Sequence, residues 1–418
     1  MLSVKNQTTF IEEVSLESLA EQYGTPLFVY SEAHIKEQFH KLVNCFKAAG
    51  MDSPLIAYAC KANDRLAVLD LIANLGGGID IVSGGELQKA LASGIDPQNI
   101  IFSGIGKKID ELTLAVERQI RQINIETVQG LDHIQEVCTS LNQPMNVMFR
   151  LNPDVEAGTH DKISTGRGED KFGLSAETIL ELYQTSAKMP LINPIGISIH
   201  IGSQVADPRY YIPAFQKLSA LVEEIRSLGC EVRALDLGGG LGITYRDEPE
   251  ADLEAYARII KEIIAPLGCH LSLEPGRFLV GNAGILLSRV LTVKKTEAKT
   301  HVIIDAAMND LIRPTLYEAW HTIKPVKCTD RPYHTYDVVG PVCESGDTFA
   351  KDRFLPELQD DDLVYVESVG AYGSVMSSYY NARPPAAEIW VSKEGHSLIY
   401  RPPSIEEIID REKTFLRS

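Results

Sequence analysis

The sequence predicts an α/β protein: a (β/α)8 TIM barrel joined to a C-terminal, mostly antiparallel β domain. Short apolar runs alternate with amphipathic stretches from about residue 55 to 280, and polar residues follow the ends of these runs. After about residue 280 the chain consists mainly of strand-like runs between turn residues. We expect the barrel to span 31–278 and the β domain, a sandwich or barrel, to comprise 1–30 and 279–418.

The barrel prediction depends on eight apolar, β-branched runs, whose near-continuous hydrophobicity is typical of parallel strands covered by helices. The runs are LIAYACK (55–61), GIDIVS (78–83), NIIFSG (99–104), QINIET (122–127), MNVMFRL (145–151), IGISIHIG (195–202), ALDLGGG (234–240) and HLSLEPG (270–276). Helix-like sequence separates them, and several of these stretches end in glycine, which suits the position after a helix. An open, doubly wound sheet would give the same alternation.

The polar residues favour the barrel, because barrel active sites lie at the carboxyl ends of the strands. Chemically capable side chains recur at those ends: Lys61, Ser83, Arg150, His200, Gly238 to Gly240, Glu274 and Arg277. The loop 152–173 is long and polar, as expected of a functional barrel loop. In the β domain, the PLFVY run (26–30) is a candidate additional strand, which would place both chain termini in one module.

Composition excludes several function classes. Among 418 residues, 40 Lys and Arg oppose 57 Asp and Glu, and the net charge of −17 argues against nucleic acid or an anionic membrane as a partner. The N-terminus does not resemble a secretory signal, and no apolar run of about 18 residues predicts a membrane span. The seven cysteines are scattered without a CxxC motif, which predicts reduced thiols in a cytoplasmic protein and no metal site.

Each candidate residue in the barrel also has a structural interpretation. Lys61 is either a lysine at the edge of a strand or an amine that forms a Schiff base with an aldehyde cofactor. The glycines 238–240 either bind a phosphate through backbone N–H groups or form a strained turn. His200 is either a core histidine or a ring stacked on an aromatic ligand. Glu274 and Arg277 flank a Pro-Gly turn and form either a structural ion pair or part of a cofactor site, where a carboxylate keeps a pyridine nitrogen protonated.

The β domain carries a second group of candidates. Cys343 is either a small buried hydrophobic residue or an acid. Arg313 and Tyr317 are one helical turn apart, and the planar guanidinium of Arg313 suits a carboxylate. Tyr372 lies between glycines that permit close approach of backbone or ligand, although it also fits an ordinary interface tyrosine.

Seven motifs in this order resemble the diaminopimelate decarboxylases, which belong to the fold-type III pyridoxal-phosphate decarboxylases with an alanine-racemase-like barrel. The motifs are ACKAN, HIGSQ, LDLGGGLGI, EPGR, IRPTLYEAWH, CESGD and GAYGSVMSSYYNARP. The resemblance covers residues from about 25 to about 410. The ISTG segment (163–166) is also similar to these enzymes.

The resemblance implies pyridoxal 5′-phosphate as the cofactor and assigns residues to it. Lys61 would form the Schiff base, His200 would stack on the ring, and Glu274 would pair with the pyridinium nitrogen. The phosphate would be surrounded by Ser203, Gly238, Gly239, Gly240, Gly276, Arg277 and Tyr372. Asp80 and Arg150 match supporting positions of the wider family.

The resemblance also implies the reaction, the decarboxylation of meso-2,6-diaminopimelate to L-lysine, the last step of lysine biosynthesis. Cys343 would protonate the carbanion. The substrate would be held by Arg277, Arg313, Tyr317, Glu344 and Tyr372. Cys343 and Glu344 would come from the opposite subunit, so that a homodimer shares each active site.

Other functions fit parts of the same pattern. A decarboxylase of D-ornithine, D-lysine, L-ornithine or a carboxynorspermidine-like compound would leave Arg313 facing no distal carboxylate, which is costly for a buried charge. A non-catalytic cofactor-binding homologue would be expected to lose Lys61 or Cys343, and this chain keeps both. A racemase on the same barrel does not suit the CESGD motif and Arg313.

Overall fold

A computed structural model describes residues 1–155, 166 and 171–416, which form two compact units. The barrel unit comprises Gln38–Thr244 and Glu248–Leu279, and the β unit comprises Met1–Glu37, Tyr245–Asp247 and Val280–Ser418. The boundary between the two units, after Glu37, falls inside one continuous helix, Glu32–Ala48. The barrel was predicted to begin at residue 31, directly before this helix.

The barrel unit contains a closed barrel of eight parallel strands, which confirms the fold predicted from the alternation of the sequence and excludes the open sheet. The strands are Leu55–Ala59, Gly78–Ile81, Ile100–Phe102, Gln122–Ile125, Met145–Leu151, Ile192–Ile199, Ala234–Asp236 and His270–Leu273. The strand Leu55–Ala59 closes the barrel by pairing with His270–Leu273.

Helices follow the strands and cover the barrel. They are Leu66–Asn74, Gly84–Ala92, Ile109–Glu117, Val128–Leu141, Ala176–Ser186, Tyr211–Ser227, Leu253–Ile263 and the short Arg277–Val280. Local chemistry sets their ends: Ser83 caps Gly84–Ala92 by accepting a hydrogen bond from the Glu86 backbone N–H at 3.2 Å. Gly94, with a φ of +79°, follows the same helix in the left-handed region, where glycine is favoured.

The β unit is built on a nine-stranded sheet, and its mostly antiparallel character agrees with the prediction. Its strands are Leu27–Ser31, Gly284–Lys295, Thr300–Ile304, Ile323–Pro325, Tyr333–Val339, Thr348–Pro356, Leu363–Val366, Ala387–Ser392 and Gly395–Tyr400. The N-terminal strand Leu27–Ser31, which contains most of the PLFVY run, pairs antiparallel with Gly284–Lys295 and parallel with Ala387–Ser392.

The rest of the β unit is small. Leu2–Lys5, Thr8–Ile11 and Val14–Ser15 form a separate three-stranded sheet, and the helices are Leu16–Tyr23, Arg313–Tyr317 and Ile405–Lys413. Within the described part of the chain, no helix combines the length and the hydropathy needed to cross a membrane.

Candidate functional site

Lys61 lies at one end of the barrel, in a short 3-10 turn, Cys60–Ala62, that follows the first barrel strand. Its Nζ is 3.3 Å from Oδ2 of Asp80, which lies on the neighbouring strand Gly78–Ile81 and has a fully buried side chain. Oδ1 of Asp80 has no hydrogen-bond partner among the described residues. The lysine side chain is 35% exposed and its amine is paired with a buried carboxylate, an environment that favours the interpretation as a reactive amine.

Glu274 belongs to a buried carboxyl pair inside the barrel. It is hydrogen-bonded to the side chain of Asp236, and such a bond between two carboxyl groups requires a proton on one of them. Burial, followed by the neighbouring carboxylates of Asp236 and Asp80, raises the pKa of Glu274 well above its usual value. Burial also raises the pKa of Asp236, to about 6. The pair therefore holds a proton that a basic ligand can take.

Neutral polar side chains support this pair, two from the strand Gln122–Ile125 and one from the residue directly after the strand Ile100–Phe102. Ser103 donates to Oε1 of Glu274 at 3.1 Å, and the Asn124 amide donates to Ser103 Oγ at 3.1 Å and to Asp236 Oδ2 at 3.4 Å. Gln122 donates in turn to the Asn124 side-chain oxygen at 3.0 Å. The network fixes the position of Glu274 without adding charge.

His200 is a neutral imidazole. Its Nδ1 accepts the backbone N–H of Gly239 at 3.2 Å, which places the ring proton on Nε2. Burial, together with the positive charges of Arg150 and Lys61, lowers the pKa of His200 well below its usual value. A neutral ring in this position offers a flat face for stacking.

The three glycines of the LDLGGG motif are required by packing. A Cβ would lie 2.2 Å from the Ile199 carbonyl oxygen at Gly238, 2.1 Å from that of Glu274 at Gly239 and 2.6 Å from that of Gly202 at Gly240. The N–H groups of Gly238 and Gly239 donate to Asp236 and His200, so their donors are used inside the protein. Close packing therefore requires glycine at all three positions, and the N–H groups of Gly238 and Gly239 already have partners.

Arg277 and Ser203 contact each other nearby in the barrel unit. Arg277 begins the helix Arg277–Val280, is 7% exposed, and donates from Nη2 to Ser203 Oγ at 3.2 Å. A Cβ on Gly276 would lie 3.1 Å from the Cβ atoms of Ala59 and Ala62, beside the lysine turn.

Arg150 is held by a second ion pair. Its Nη1 is 3.1 Å from Oε2 of Glu126, and both side chains are buried. This pair fits the supporting role expected of Arg150.

In the β unit, Arg313 and Tyr317 form the two ends of the helix Arg313–Tyr317, as their spacing predicts. Arg313 is 6% exposed, and its guanidinium carbon lies 4.7 Å from the centre of the Tyr245 ring. Tyr317 is half-buried. A planar, buried guanidinium at this position suits a carboxylate ligand.

The CESGD loop presents Cys343 and Glu344, both of them exposed. Asp347 holds the loop, because its buried carboxylate accepts the backbone N–H groups of Met308 at 2.7 Å and Val342 at 2.8 Å. Glu344 accepts a hydrogen bond from the Tyr380 hydroxyl, which raises the pKa of Tyr380. The alternative that Cys343 is a small buried residue does not hold in the single chain.

Two further contacts fix the loop. Thr315, from the Arg313–Tyr317 helix, donates to the Gly346 carbonyl oxygen at 2.6 Å. The Asn381 side-chain oxygen accepts the backbone N–H of Cys343 at 3.0 Å. The loop and the helix thus form one connected element of the β unit.

Tyr372 has a φ of +56°, in the left-handed region that a tyrosine rarely adopts. Its neighbours Gly370 and Gly373 touch backbone: a Cβ would lie 1.9 Å from the Val280 carbonyl oxygen at Gly370 and 2.4 Å from that of Val369 at Gly373. Strain of this kind is common at functional positions.

Sequence reasoning missed the groups that support the site. Asp236, Ser103, Asn124 and Asp347 were given no role, although Asp236 lies in the LDLGGG motif and Asp347 in the CESGD motif. Asn124 carries no local signal, because its partners lie on other strands. Residues 163–165 of ISTG and most of the 152–173 loop lie outside the described residues.

Comparisons with known proteins show which family this chain resembles. Residues 32–281 match the model of the family described as "Pyridoxal-dependent decarboxylase, pyridoxal binding domain". A diaminopimelate decarboxylase of Zymomonas mobilis subsp. mobilis is 42% identical over 413 residues, which cover 98% of this chain and 98% of that protein.

Two solved structures of diaminopimelate decarboxylases are similar to this chain over nearly its whole length. Diaminopimelate decarboxylase of Helicobacter pylori, complexed with L-lysine, is 39% identical with a TM-score of 0.91, over 96% of this chain and 100% of that one. The enzyme of M. jannaschii, also in complex with L-lysine, is 36% identical with a TM-score of 0.94, over 99% of this chain and 97% of that one. The likeness therefore includes both units.

Proposed function

Because the chain belongs to the family of pyridoxal-dependent diaminopimelate decarboxylases, we propose that it converts meso-2,6-diaminopimelate to L-lysine and CO2. It is a carboxy-lyase whose cofactor is pyridoxal 5′-phosphate. The observation that carries the substrate assignment is the buried guanidinium of Arg313, which suits the carboxylate at the distal end of diaminopimelate.

The barrel residues fit this cofactor. The buried pair of Glu274 and Asp236 holds a proton that a pyridine nitrogen can accept, after which Glu274 is the counter-ion of the ring. Oδ1 of Asp80, beside Lys61, has no hydrogen-bond partner among the described residues and could accept a hydrogen bond from a ligand. Lys61 is the residue that would bind the cofactor's aldehyde.

The remaining contacts follow from the observed geometry. His200, held neutral by Gly239, would present its face to the ring. Arg277, Ser203, Gly240, Gly276 and Tyr372 would hold the phosphate. Since the N–H groups of Gly238 and Gly239 are used inside the protein, these two glycines would shape the turn without donating to the phosphate.

The chain's own residues then control the reaction. Bound pyridoxal phosphate supplies an electron sink for the bond that breaks at Cα. Arg313 and Tyr317 bind the distal carboxylate and Glu344 the distal ammonium, while Arg277 and Tyr372 contact the substrate near the phosphate. Cys343 delivers a proton to Cα after CO2 has left.

We propose that two copies of the chain share each site, with Cys343 and Glu344 of one subunit completing the site of the other. The exposure of both side chains in the single chain supports this arrangement. The seven free thiols support a cytoplasmic location, and the net charge of −17 argues against a nucleic-acid partner.

The function is tested by incubating the purified chain, saturated with pyridoxal phosphate, with meso-diaminopimelate. We expect CO2 and L-lysine in equal amounts, and no release of CO2 would contradict the proposal. Arg313→Ala should raise the KM for diaminopimelate by about tenfold or more, because a charged hydrogen-bonded pair is lost. Any turnover of D-ornithine or D-lysine should change much less, and equal losses would favour a decarboxylase of another diamino acid.

A further inference from the structure

His321 contacts the residue that the proposed function assigns to the distal carboxylate. It is 1% exposed, and its Nε2 lies 2.9 Å from Nη1 of Arg313. Its Nδ1 lies 2.9 Å from the carbonyl oxygen of Glu367. His321 ends the IRPTLYEAWH motif and is not among the residues proposed to contact the cofactor or the substrate.

The two contacts fix the protonation of the ring. A guanidinium has only donors, so Nε2 of His321 must accept from Arg313. The carbonyl of Glu367 only accepts, so the ring hydrogen must be on Nδ1. His321 is therefore a neutral imidazole in one defined tautomer, with both nitrogens occupied.

The position of His321 is set by the sheet. It lies just before the strand Ile323–Pro325, which pairs antiparallel with Leu363–Val366. The backbone N–H of Glu367 donates to the Thr322 carbonyl oxygen at 2.9 Å, which extends this pairing to the neighbours of His321. Arg353 donates to the His321 carbonyl oxygen at 3.1 Å. The ring is thus attached to a rigid part of the β unit.

Tyr245 completes the support. Its ring meets the His321 ring edge-on, with centroids 5.4 Å apart, and presents its face to Arg313. Both groups are neutral, so they orient the guanidinium without cancelling its charge. A carboxylate in the place of His321 would orient Arg313 equally well, but it would compete with the substrate carboxylate.

We propose that His321 is a positioning residue. Together with Tyr245, it holds the Arg313 guanidinium in the orientation in which the guanidinium binds the distal carboxylate of the substrate. This role rests on the proposed function, and it makes His321 a determinant of specificity for substrates with an amino-acid group at the distal end.

The test uses two variants that each keep one half of the ring's hydrogen bonding. His321→Gln keeps an acceptor near the Nε2 position, whereas His321→Asn keeps a donor near Nδ1 and loses the acceptor for Arg313. The probes are L-lysine, which retains the distal carboxylate, and pentane-1,5-diamine, which has none. Their dissociation constants are measured by calorimetry on the holoenzyme, and the melting temperature of each variant is recorded alongside.

We expect His321→Asn to weaken L-lysine binding by about tenfold or more, as for loss of a hydrogen bond to a charged group, and to leave diamine binding unchanged. His321→Gln should stay within about threefold of the wild type, even though both variants melt at a lower temperature. In an Arg313→Ala background, His321→Asn should have no further effect on L-lysine binding.

Three results would overturn the inference: unchanged L-lysine binding in His321→Asn, equal losses in both His321 variants, or a loss that persists without Arg313. If the wild-type protein bound L-lysine no better than the diamine, the assignment of Arg313 in the proposed function would fail, and the inference with it. A wild type that prefers L-lysine, with His321→Asn unaffected, would overturn only the inference.

Discussion

Lys61 is the residue whose loss should be visible without an activity assay. Its amine lies beside Asp80 and would bind the cofactor covalently. We expect Lys61→Ala to lack the visible absorbance of the bound cofactor and to release no CO2, because the substitution removes the amine that would bind the cofactor's aldehyde. The measurement is an absorption spectrum of the purified variant after addition of pyridoxal phosphate and gel filtration. A wild-type absorption band in this variant would show that another residue binds the cofactor.

The carboxyl pair of Glu274 and Asp236 predicts how stability depends on pH. The folded-state pKa of Asp236 is raised from 3.8 to about 6, so between these values the folded chain binds more protons than the unfolded chain. Stability of the cofactor-free protein should therefore fall as pH rises through this window, and the raised pKa of Glu274 extends the fall to higher pH.

A substitution at Asp236 isolates the contribution of the carboxyl pair to the pH dependence of stability. Burial also raises the pKa values of Asp310 and Glu86 to about 7, with the same sign, so the difference from the wild type is the informative quantity. We expect Asp236→Asn to reduce the loss of folding stability with rising pH by on the order of 1 kcal/mol. The measurement is the melting temperature of the cofactor-free protein, compared between variant and wild type across pH. Parallel curves for the two proteins would contradict the assignment.

Individual site residues were predictable where the neighbouring sequence has a recognisable pattern. Lys61, His200 and Glu274 stand out because each follows an apolar run, and Arg313 because it is one helical turn from Tyr317. Asn124 and Ser103 were not predictable, because they meet Glu274 and Asp236 across different strands. A contact between strands that are distant in sequence leaves no pattern in either of them.

At the scale of elements, the CESGD loop depends on one buried carboxylate. Asp347 accepts two backbone N–H groups, one on each oxygen, and is 3% exposed. Asp347→Ala leaves both donors buried, which should destabilise the protein by about 2 to 4 kcal/mol. Because Cys343 and Glu344 lie in the same loop, kcat should also fall while the spectrum of bound cofactor is kept.

Asp347→Asn is the matched control, since it keeps one of the two acceptors and should lose about half as much stability. Both variants are compared by denaturant unfolding and by steady-state kinetics. A normal kcat in Asp347→Ala would mean that the loop needs no such support to place Cys343.

The elements themselves were largely predictable. All eight barrel strands occur where the apolar runs indicated them, because burial on both faces leaves a continuous apolar signal. The sequence predicts the ends of the strands less well: the run 55–61 predicts one strand, but the strand stops at Ala59 and Lys61 lies in a 3-10 turn. Such a turn depends on contacts that the local sequence does not show.

At the scale of the whole molecule, the proposed active site requires two copies of the chain. Lys61 lies in the barrel unit and Cys343 in the β unit, and we propose that each active site takes Lys61 from one subunit and Cys343 from the other. The sequence predicts both groups of residues, but it cannot show a shared site, since a chain and its copy have the same sequence.

Complementation between two inactive variants is the most direct test of this central claim. Lys61→Ala and Cys343→Ala proteins are mixed, allowed to exchange subunits, and assayed for CO2 release from meso-diaminopimelate. In a symmetric dimer with shared sites, each mixed dimer regains one intact site, so activity should recover to about a quarter of the wild-type value. If subunit exchange is demonstrated and the mixture stays as inactive as its components, each site is contained in one chain and the two subunits do not share their active sites.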